Sequence, residues 1–469
     1  MNVCIVTSKH VSYNPRVVKE ADALSSAGHD VTVVTVCNNC AQAALDEGIM
    51  ATRSWRLLTV NYRKQGFLET FRWLWFGIRQ RLFSDYFTGI TLGFGLAERG
   101  QGREYPELRR LACSLKADLY IAHHAECLGA AYAAARKHDA RFAFDAEDFH
   151  SGMFAAPITE YVPAEFDLRK LLEESDHRPK GAEQRRIEYL ERKYLPHCDH
   201  MTAASDGIGE AYSLKYDLPC PTTILNVFPL EKLPKHDKVA NQAQDSIHHS
   251  PFTIHSLQGS IHHSPFTIHK LYWYSQVIGP GRGLEEAVQA LALLVTPCEL
   301  HLRGMPLPGF VEQLTALAVS LGVGERLIIH PPCPPDDLIA EAARYDVGLA
   351  LENSVELNRL ICVTNKIFTY MNAGLAIIAT DTPGQRGIMA QAPDAGLSCR
   401  MNDVESLAMA VNRLLESPEL LTSFRKESRR AAEERFNWRV ESDTLVRLVG
   451  TNHKSFNAKT PRHRDAKNV

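Results

Sequence analysis

Short apolar runs rich in β-branched residues alternate with longer helical patterns along most of the chain, in two separate series. That alternation predicts parallel sheets covered by helices on both faces, because a strand, helix, strand unit returns the chain in the same direction. The first series opens with Asn2-Val-Cys-Ile-Val-Thr7. Asn14 and Pro15 then supply an N-cap and a proline in the first helical turn, Val17, Val18, Ala21 and Leu24 share one face, and Gly28 ends the helix. Asp30-Val-Thr-Val-Val-Thr-Val36 completes a βαβ unit. Further strands are predicted over 118–122, 141–145, 201–204 and 222–225, with an alanine-rich helix running through Arg136, so that the first domain spans residues 1–230.

A polar linker over 231–269 leads into the second series, with strands predicted over 270–274, 299–303, 327–330, 346–351 and 376–380 and a helix over 284–294. Residues 270–435 form the second domain, 436–450 hold a last helix, and the polar, basic tail 451–469 reads as disordered. Two doubly wound, Rossmann-like α/β domains place a cleft between the carboxyl ends of their sheets, where ligands of such folds bind. The linker carries a near-perfect tandem repeat, with 246–255 recurring as 260–269. Its histidines lack an accompanying carboxylate or thiol, and two copies are too few for a solenoid. The expected effect is two equivalent segments competing for one edge of the second sheet.

At 469 residues with 45% hydrophobic content, the chain has the composition of a folded protein with two or three cores. Its 52 Lys+Arg nearly balance 55 Asp+Glu, which gives no bulk attraction for nucleic acid, and none is expected as a partner. The 11 cysteines are an odd number and scattered, as reduced thiols in a cytoplasmic protein would be. Cys37 and Cys40 form a Cys-x-x-Cys, read as a loop after a strand rather than a zinc or redox site. No apolar run reaches the roughly 18 residues needed to cross a bilayer, and the first residues lack a signal peptide's basic start.

Two segments carry the chemistry. In the first, Thr364 or Asn365 caps a helix whose Ile367, Phe368 and Met371 pack inward and which Gly374 ends. The amino end of that helix faces the predicted cleft, where unpaired N–H groups attract a phosphate and Lys366 adds a full charge. In the second, Ile278-Gly-Pro-Gly-Arg-Gly283 follows a strand and opens a helix, so that Gly281 and Gly283 allow close backbone approach and Arg282 offers a fork suited to diphosphate oxygens. Its Gly-x-Gly-x-Gly spacing is not the dinucleotide fingerprint. In the first domain, His123-His124 and Asp145-Ala-Glu-Asp148 each follow a strand end and are expected at the cleft.

The Asn-Pro-Arg-x-x-Lys-Glu-Ala start (residues 14–21), the Ser-Gln-x-Ile-Gly-Pro-Gly-Arg-Gly-Leu-Glu segment (275–285) and the Asn-Lys-x-Phe-x-Tyr-Met-x-Ala-Gly segment (365–374) resemble GT-B-fold, GT4-type retaining glycosyltransferases. The resemblance extends to Phe436-Asn-Trp438, before a last helix that in such enzymes crosses back to the first domain. It implies a UDP- or GDP-linked sugar donor on the second domain, a glycan or lipid-linked acceptor on the first, and transfer to a hydroxyl with retention. Arg282 takes the place of the residue that neutralises the diphosphate, with Gly281, Gly283, Thr364, Asn365, Lys366 and Thr369 around the donor. His123 matches a cleft histidine of the family, and Glu147 or Asp148 is placed to hold an acceptor hydroxyl.

Three departures stand out. Gln276 replaces the family's usual arginine, and the two glutamates of the family's motif fall at Ile361 and Thr369, leaving Glu352 or Glu356 to substitute. No Asp-x-Asp occurs, so no metal is implied and cations with a helix end are expected to do that work. Rival readings are a nucleotide-sugar epimerase on the same fold and a non-catalytic sugar-nucleotide scaffold. Residues 67–83 mix arginines with aromatics, as an interfacial helix at the inner membrane face would, but Phe67, Phe71, Leu74, Trp75, Ile78 and Leu82 also form a stripe read here as core.

Overall fold

A computed structural model describes residues 1–64, 66–83, 95–154, 165–231, 268–353 and 356–451. The linker repeat, apart from its last two residues, and the tail after residue 451 lie outside the described residues. The first sheet has seven parallel strands: β1 (Asn2–Val6), β2 (Asp30–Cys37), β3 (Arg56–Asn61), β4 (Leu119–His123), β5 (Arg141–Ala146), β6 (His200–Ala203) and β7 (Thr222–Thr223). Their spatial order is β3-β2-β1-β4-β5-β6-β7, which reverses direction at β1 and so opens a crevice beyond the ends of β1 and β4.

The second sheet repeats the scheme with β8 (His269–Ile278), β9 (Cys298–Pro306), β10 (Leu327–His330), β11 (Val347–Ala350), β12 (Ala376–Thr380) and β13 (Gly396–Cys399). Their order is β10-β9-β8-β11-β12-β13, again parallel, with the reversal at β8 and β11. Central strands such as β4, β11 and β12 are buried throughout, as strands sandwiched between helices must be. The sequence pattern misses β3 and β13, whose partly exposed faces lack a continuous apolar run.

Asn14 accepts a hydrogen bond from Val17 N and caps the helix Pro15–Ser26. The helix Trp438–Gly450 packs on the first sheet, where Leu445 and Val449 join a core with Val3 and Ile5. Leu225 N donates to its Glu441, and Arg141 donates to the Val449 carbonyl. A second bridge is the helix Leu357–Ile361, which belongs to the second half of the chain but buries Leu357 and Ile361 in the first domain's core.

Two sequence readings change. The stripe from Phe67 to Leu82 is not core: Phe67 is 86%, Phe71 60% and Trp75 51% exposed. The helix Phe67–Arg81 is held from its other side, by buried Phe76 against Tyr62 and by Arg79 on Glu107, so its wider apolar face points outward. The Cys-x-x-Cys is not confined to a loop, because Cys37 ends β2 and Cys40 begins the helix Cys40–Met50. Burial raises the Cys37 thiol above its usual pKa, which disfavours the reactive thiolate. No cysteine is in a disulfide.

Candidate functional site

The two sheets face each other across a cleft of about 540 Å³. Arg16, Glu147 and Asp148 line it from the first domain, and Arg282, Glu352 and Lys366 from the second. On the second-domain side, Gly281 and Gly283 have φ of 74° and 71°, the left-handed region that glycine enters without strain. A Cβ on Gly283 would lie 2.8 Å from Leu351 Cβ, so only glycine lets this loop fold against the end of β11. That close approach sets Arg282 Nη1 3.5 Å from Glu352 Oε1.

Lys366 reaches the same carboxylate oxygen from the helix Asn365–Ala373, at 3.5 Å, and its ammonium lies 5.3 Å over the Trp273 ring. Arg359, which no sequence motif singles out, adds a third cation 3.9 Å from Glu352 Oε2. Three cations therefore converge around one carboxylate. Burial lowers the Lys366 pKa, and the neighbouring Arg282 and Arg359 lower it further against the opposing pull of Glu352. An anionic ligand would relieve that strain.

The helix Asn365–Ala373 has Thr364 at its N-cap, but the Thr364 side chain makes no capping bond and instead accepts from Lys366 at 3.3 Å. First-turn N–H groups without a side-chain cap, at the positive end of a helix, suit an anion. Gly374, at φ 70°, ends the helix as the sequence predicts. Glu352 Oε2, Asn353 Oδ1 and Glu286 Oε2 are buried with no hydrogen-bond partner among the described residues. Such atoms are unusual in a finished core and common where a ligand completes the site.

Not every predicted donor residue reaches the cleft. Thr369 is fully buried and shares a 2.6 Å hydrogen bond with Tyr274, whose residue does line the cleft. Ile361 is core, and Glu356 is exposed at the N-cap of its short helix. Gln276 lines the cleft where the family usually has an arginine.

On the first-domain side, His123 and His124 are not at the surface, with 0% and 2% exposure. They are covered by the helix Pro15–Ser26 and its cap, whose Glu20 meets His123 and whose Asn14 lies 3.4 Å from His124 Nε2. His123 Nε2 lies 2.5 Å from Glu20, and Nδ1 lies 2.9 Å from Glu147 and 3.3 Å from Asp145. Arg16 grips Asp145 with two bonds of 2.6 and 2.7 Å. Glu147 is the carboxylate of this network that borders the cleft, beside Arg16, and Asn14 donates to its Oε1 at 2.6 Å. Ligand-type atoms of His123, Asp145 and Glu147 lie within 4.8 Å of one another, but they are already joined to each other and to Arg16, so the group reads as an ion network. Asp148 is tied across the domains, accepting from Asn358 Nδ2 at 3.0 Å while Phe149 N donates to Asn358 Oδ1 at 2.8 Å.

The family model described as Glycosyl transferase 4-like domain matches residues 13–219, and the one described as Glycosyl transferases group 1 matches residues 266–431. No curated protein matches the chain in sequence. Among solved structures, Anabaena HepE in complex with UDP and glucose shares 14% identity over 96% of this chain and 99% of that one, with a TM-score of 0.61. Sucrose-phosphate synthase from Thermosynechococcus elongatus shares 14% identity over 96% and 98%, with a TM-score of 0.63. A variant of S. aureus TarM in complex with fondaparinux, α-GlcNAc-glycerol and UDP shares 9% over 96% and 100%, at 0.60. With each half matched by a glycosyltransferase family model and with facing doubly wound sheets that these structures share, the chain belongs to the group 1, GT4-like glycosyltransferases of the GT-B fold.

Proposed function

We propose that this glycosyltransferase moves a sugar from a UDP- or GDP-linked donor to a hydroxyl of a glycan or lipid-linked acceptor, with retention at the anomeric carbon. Residues 270–435 hold the donor and residues 1–230 the acceptor. The observation that carries the reading is the convergence of Arg282 and Lys366 on one oxygen of Glu352, beside an uncapped helix end. The sugar C1 to phosphate oxygen bond breaks with its electron pair going to the diphosphate, whose growing charge these groups stabilise. The acceptor oxygen bonds C1, and its proton passes to the departing diphosphate oxygen. The enzyme's share is orientation and charge stabilisation, with Glu147 on the acceptor side.

Incubation with a panel of labelled UDP- and GDP-sugars, without acceptor, tests this. Slow release of free sugar from one donor is the expected result. Fast interconversion of the donor makes the chain an epimerase, and tight binding without turnover makes it a scaffold.

The exposed apolar face of the helix Phe67–Arg81 supports a further element of the reading, contact with an anionic lipid surface. Phe67, Phe71 and Trp75 stand out of the fold beside exposed Arg72, the mixture that interfacial helices use. No helix among the described residues is long and apolar enough to cross a membrane. The protein is expected to co-sediment with phosphatidylglycerol vesicles, and Phe71→Ser with Trp75→Ser to weaken this about tenfold. Equal sedimentation of wild type and double variant overturns it.

A further inference from the structure

His123 sits where neither of its ring nitrogens can be left without a proton. Nε2 meets Glu20 Oε2 at 2.5 Å and Nδ1 meets Glu147 Oε1 at 2.9 Å. A neutral imidazole has one N–H and one lone pair, so either tautomer would aim a lone pair at a carboxylate oxygen at hydrogen-bond distance. Only the imidazolium donates to both. With the ring fully buried, no bulk water intervenes.

The charges that face the ring are Arg16 and Glu20 from the helix Pro15–Ser26, and Asp145 and Glu147 from β5 and the loop that follows it. Lys19 on the same helix turns away, donating to Asn226 and the Val227 carbonyl. Neighbouring His124 is pushed down to about 4 by burial and is uncharged at neutral pH. Three carboxylates are therefore met by one guanidinium and one imidazolium. Arg16 is committed to Asp145, which leaves His123 as the cation that Glu20 and Glu147 share. Glu147 Oε1 takes bonds from both His123 and Asn14, whereas its Oε2 takes none from the described residues, and the residue borders the cleft.

We propose that His123 is a positioning residue, a permanently charged strut that fixes Glu147 in one orientation and keeps it ionised, so that its free oxygen accepts a hydrogen bond from a hydroxyl of the sugar acceptor. This rests on the reading of the first domain as the acceptor side. It gives Glu147 the role of orienting the nucleophile, and it removes His123 from contact with the reacting atoms. The electrostatics agree. Burial lowers the imidazole pKa, but Glu20, Asp145 and the bond to Glu147 outweigh it and lift the value to about 10. Burial likewise raises the Glu147 carboxyl, and the charge that His124 acquires in acid, the hydrogen bond and charge of His123, and Arg16 together overcome it and hold it well below the usual carboxylate range. At neutral pH, with His124 uncharged, His123 and Arg16 are the cations that remain. A carboxylate that weakly basic orients a hydroxyl better than it deprotonates one.

The full-length protein labelled with ¹⁵N-histidine decides the first half without any substrate. The His123 signal, identified by its loss in His123→Gln, is expected to show two protonated nitrogens at about pH 8.5, where ordinary histidines are neutral. A neutral ring there overturns the strut even if sugar transfer is later demonstrated, so the two readings fail separately. Should His123→Gln not fold, Glu20→Gln reads the same strut from its other end. Its ring titration is expected to fall by about one pH unit or more, and an unmoved midpoint counts against the proposal.

The second half is read from the pH profile of nucleotide release with whichever sugar donor turns over fastest. Wild type is expected to be flat on the acid side. His123→Gln is expected to lose about tenfold or more in kcat, to keep its donor KM within about twofold, and to gain an acid limb as Glu147 rises toward the ordinary carboxylate range. Profiles of the same shape in both proteins overturn the positioning role, since a merely structural loss would lower the rate without moving the limb.

Discussion

The cleft is walled by two charge clusters built on opposite plans. On the first-domain side, Arg16, Glu20, His123, Asp145 and Glu147 are packed at 2.5 to 2.9 Å along their main bonds. On the second-domain side, Arg282, Lys366 and Arg359 stand 3.5 to 3.9 Å from Glu352, and Glu352 Oε2 has no hydrogen bond among the described residues. The first cluster is nearly finished: two cations meet three carboxylates at short range and hold a shape, with one oxygen of Glu147 left over at the cleft. The second is incomplete, with more positive than negative charge and loose geometry, as a site is before an anion enters it. Proximity of charges alone does not mark a binding site. What marks it is charge left unanswered.

The largest effect is expected where the finished cluster is broken. Arg16→Met leaves Asp145, among the described residues, with His123 and Thr202 as its side-chain partners in a buried place, and removing one partner of a buried pair costs about 3–5 kcal/mol. Urea denaturation measures this, and a shift under about 1 kcal/mol would erase the distinction drawn between the clusters. On the loose side the effect should move from stability to binding. Arg282→Ala and Lys366→Ala are each expected to weaken UDP or GDP binding by about 1.5–3 kcal/mol, the range for charge-assisted hydrogen bonds. Unfolding should change little, because neither cation is tightly paired. Calorimetry that finds both affinities unchanged removes the diphosphate assignment.

The loose cluster was legible in the sequence and the finished one was not, for a physical reason. Gly281, Arg282 and Gly283 sit in one turn, and Thr364, Asn365 and Lys366 at one helix start, so local signals suffice to aim them. The surroundings of His123 come from Glu20, 103 residues earlier, and Glu147, 24 residues later. No short-range pattern encodes that meeting, which is why the sequence alone places this strand-end histidine in the cleft and the fold sets it behind it. Arg359 escaped for the same reason, being carried by a five-residue helix that only packing against the first domain places. The stripe from Phe67 to Leu82 shows a different limit. Periodicity reveals that a helix has two faces, but here Phe76 and Arg79 decide which one turns inward. The alternation that predicts two parallel sheets survived because central strands are buried on both sides, whereas the partly exposed β3 and β13 gave no such signal.

The smallest expected effect concerns Glu352, and its sign carries the information. Its carboxylate holds Arg282 and Lys366 together, yet it stands where a diphosphate would be repelled by it. Two like charges about 5 Å apart interact by about 3 kcal/mol at an effective dielectric of 20, and loss of the ordering that Glu352 imposes on the cations offsets much of that. Glu352→Gln is therefore expected to tighten binding of inorganic pyrophosphate by about 1 kcal/mol, roughly fivefold. One of the two glutamates of the family's motif falls at buried Thr369 here, and if Glu352 substitutes for it by holding a ribose hydroxyl of the donor, UDP must respond differently from pyrophosphate. The expected result is that pyrophosphate gains while UDP gains less or loses, since the amide is a weaker partner for a ribose hydroxyl. Equal gains for both ligands would confine Glu352 to ordering the cations, and no change in either would mean that the phosphates lie beyond its reach.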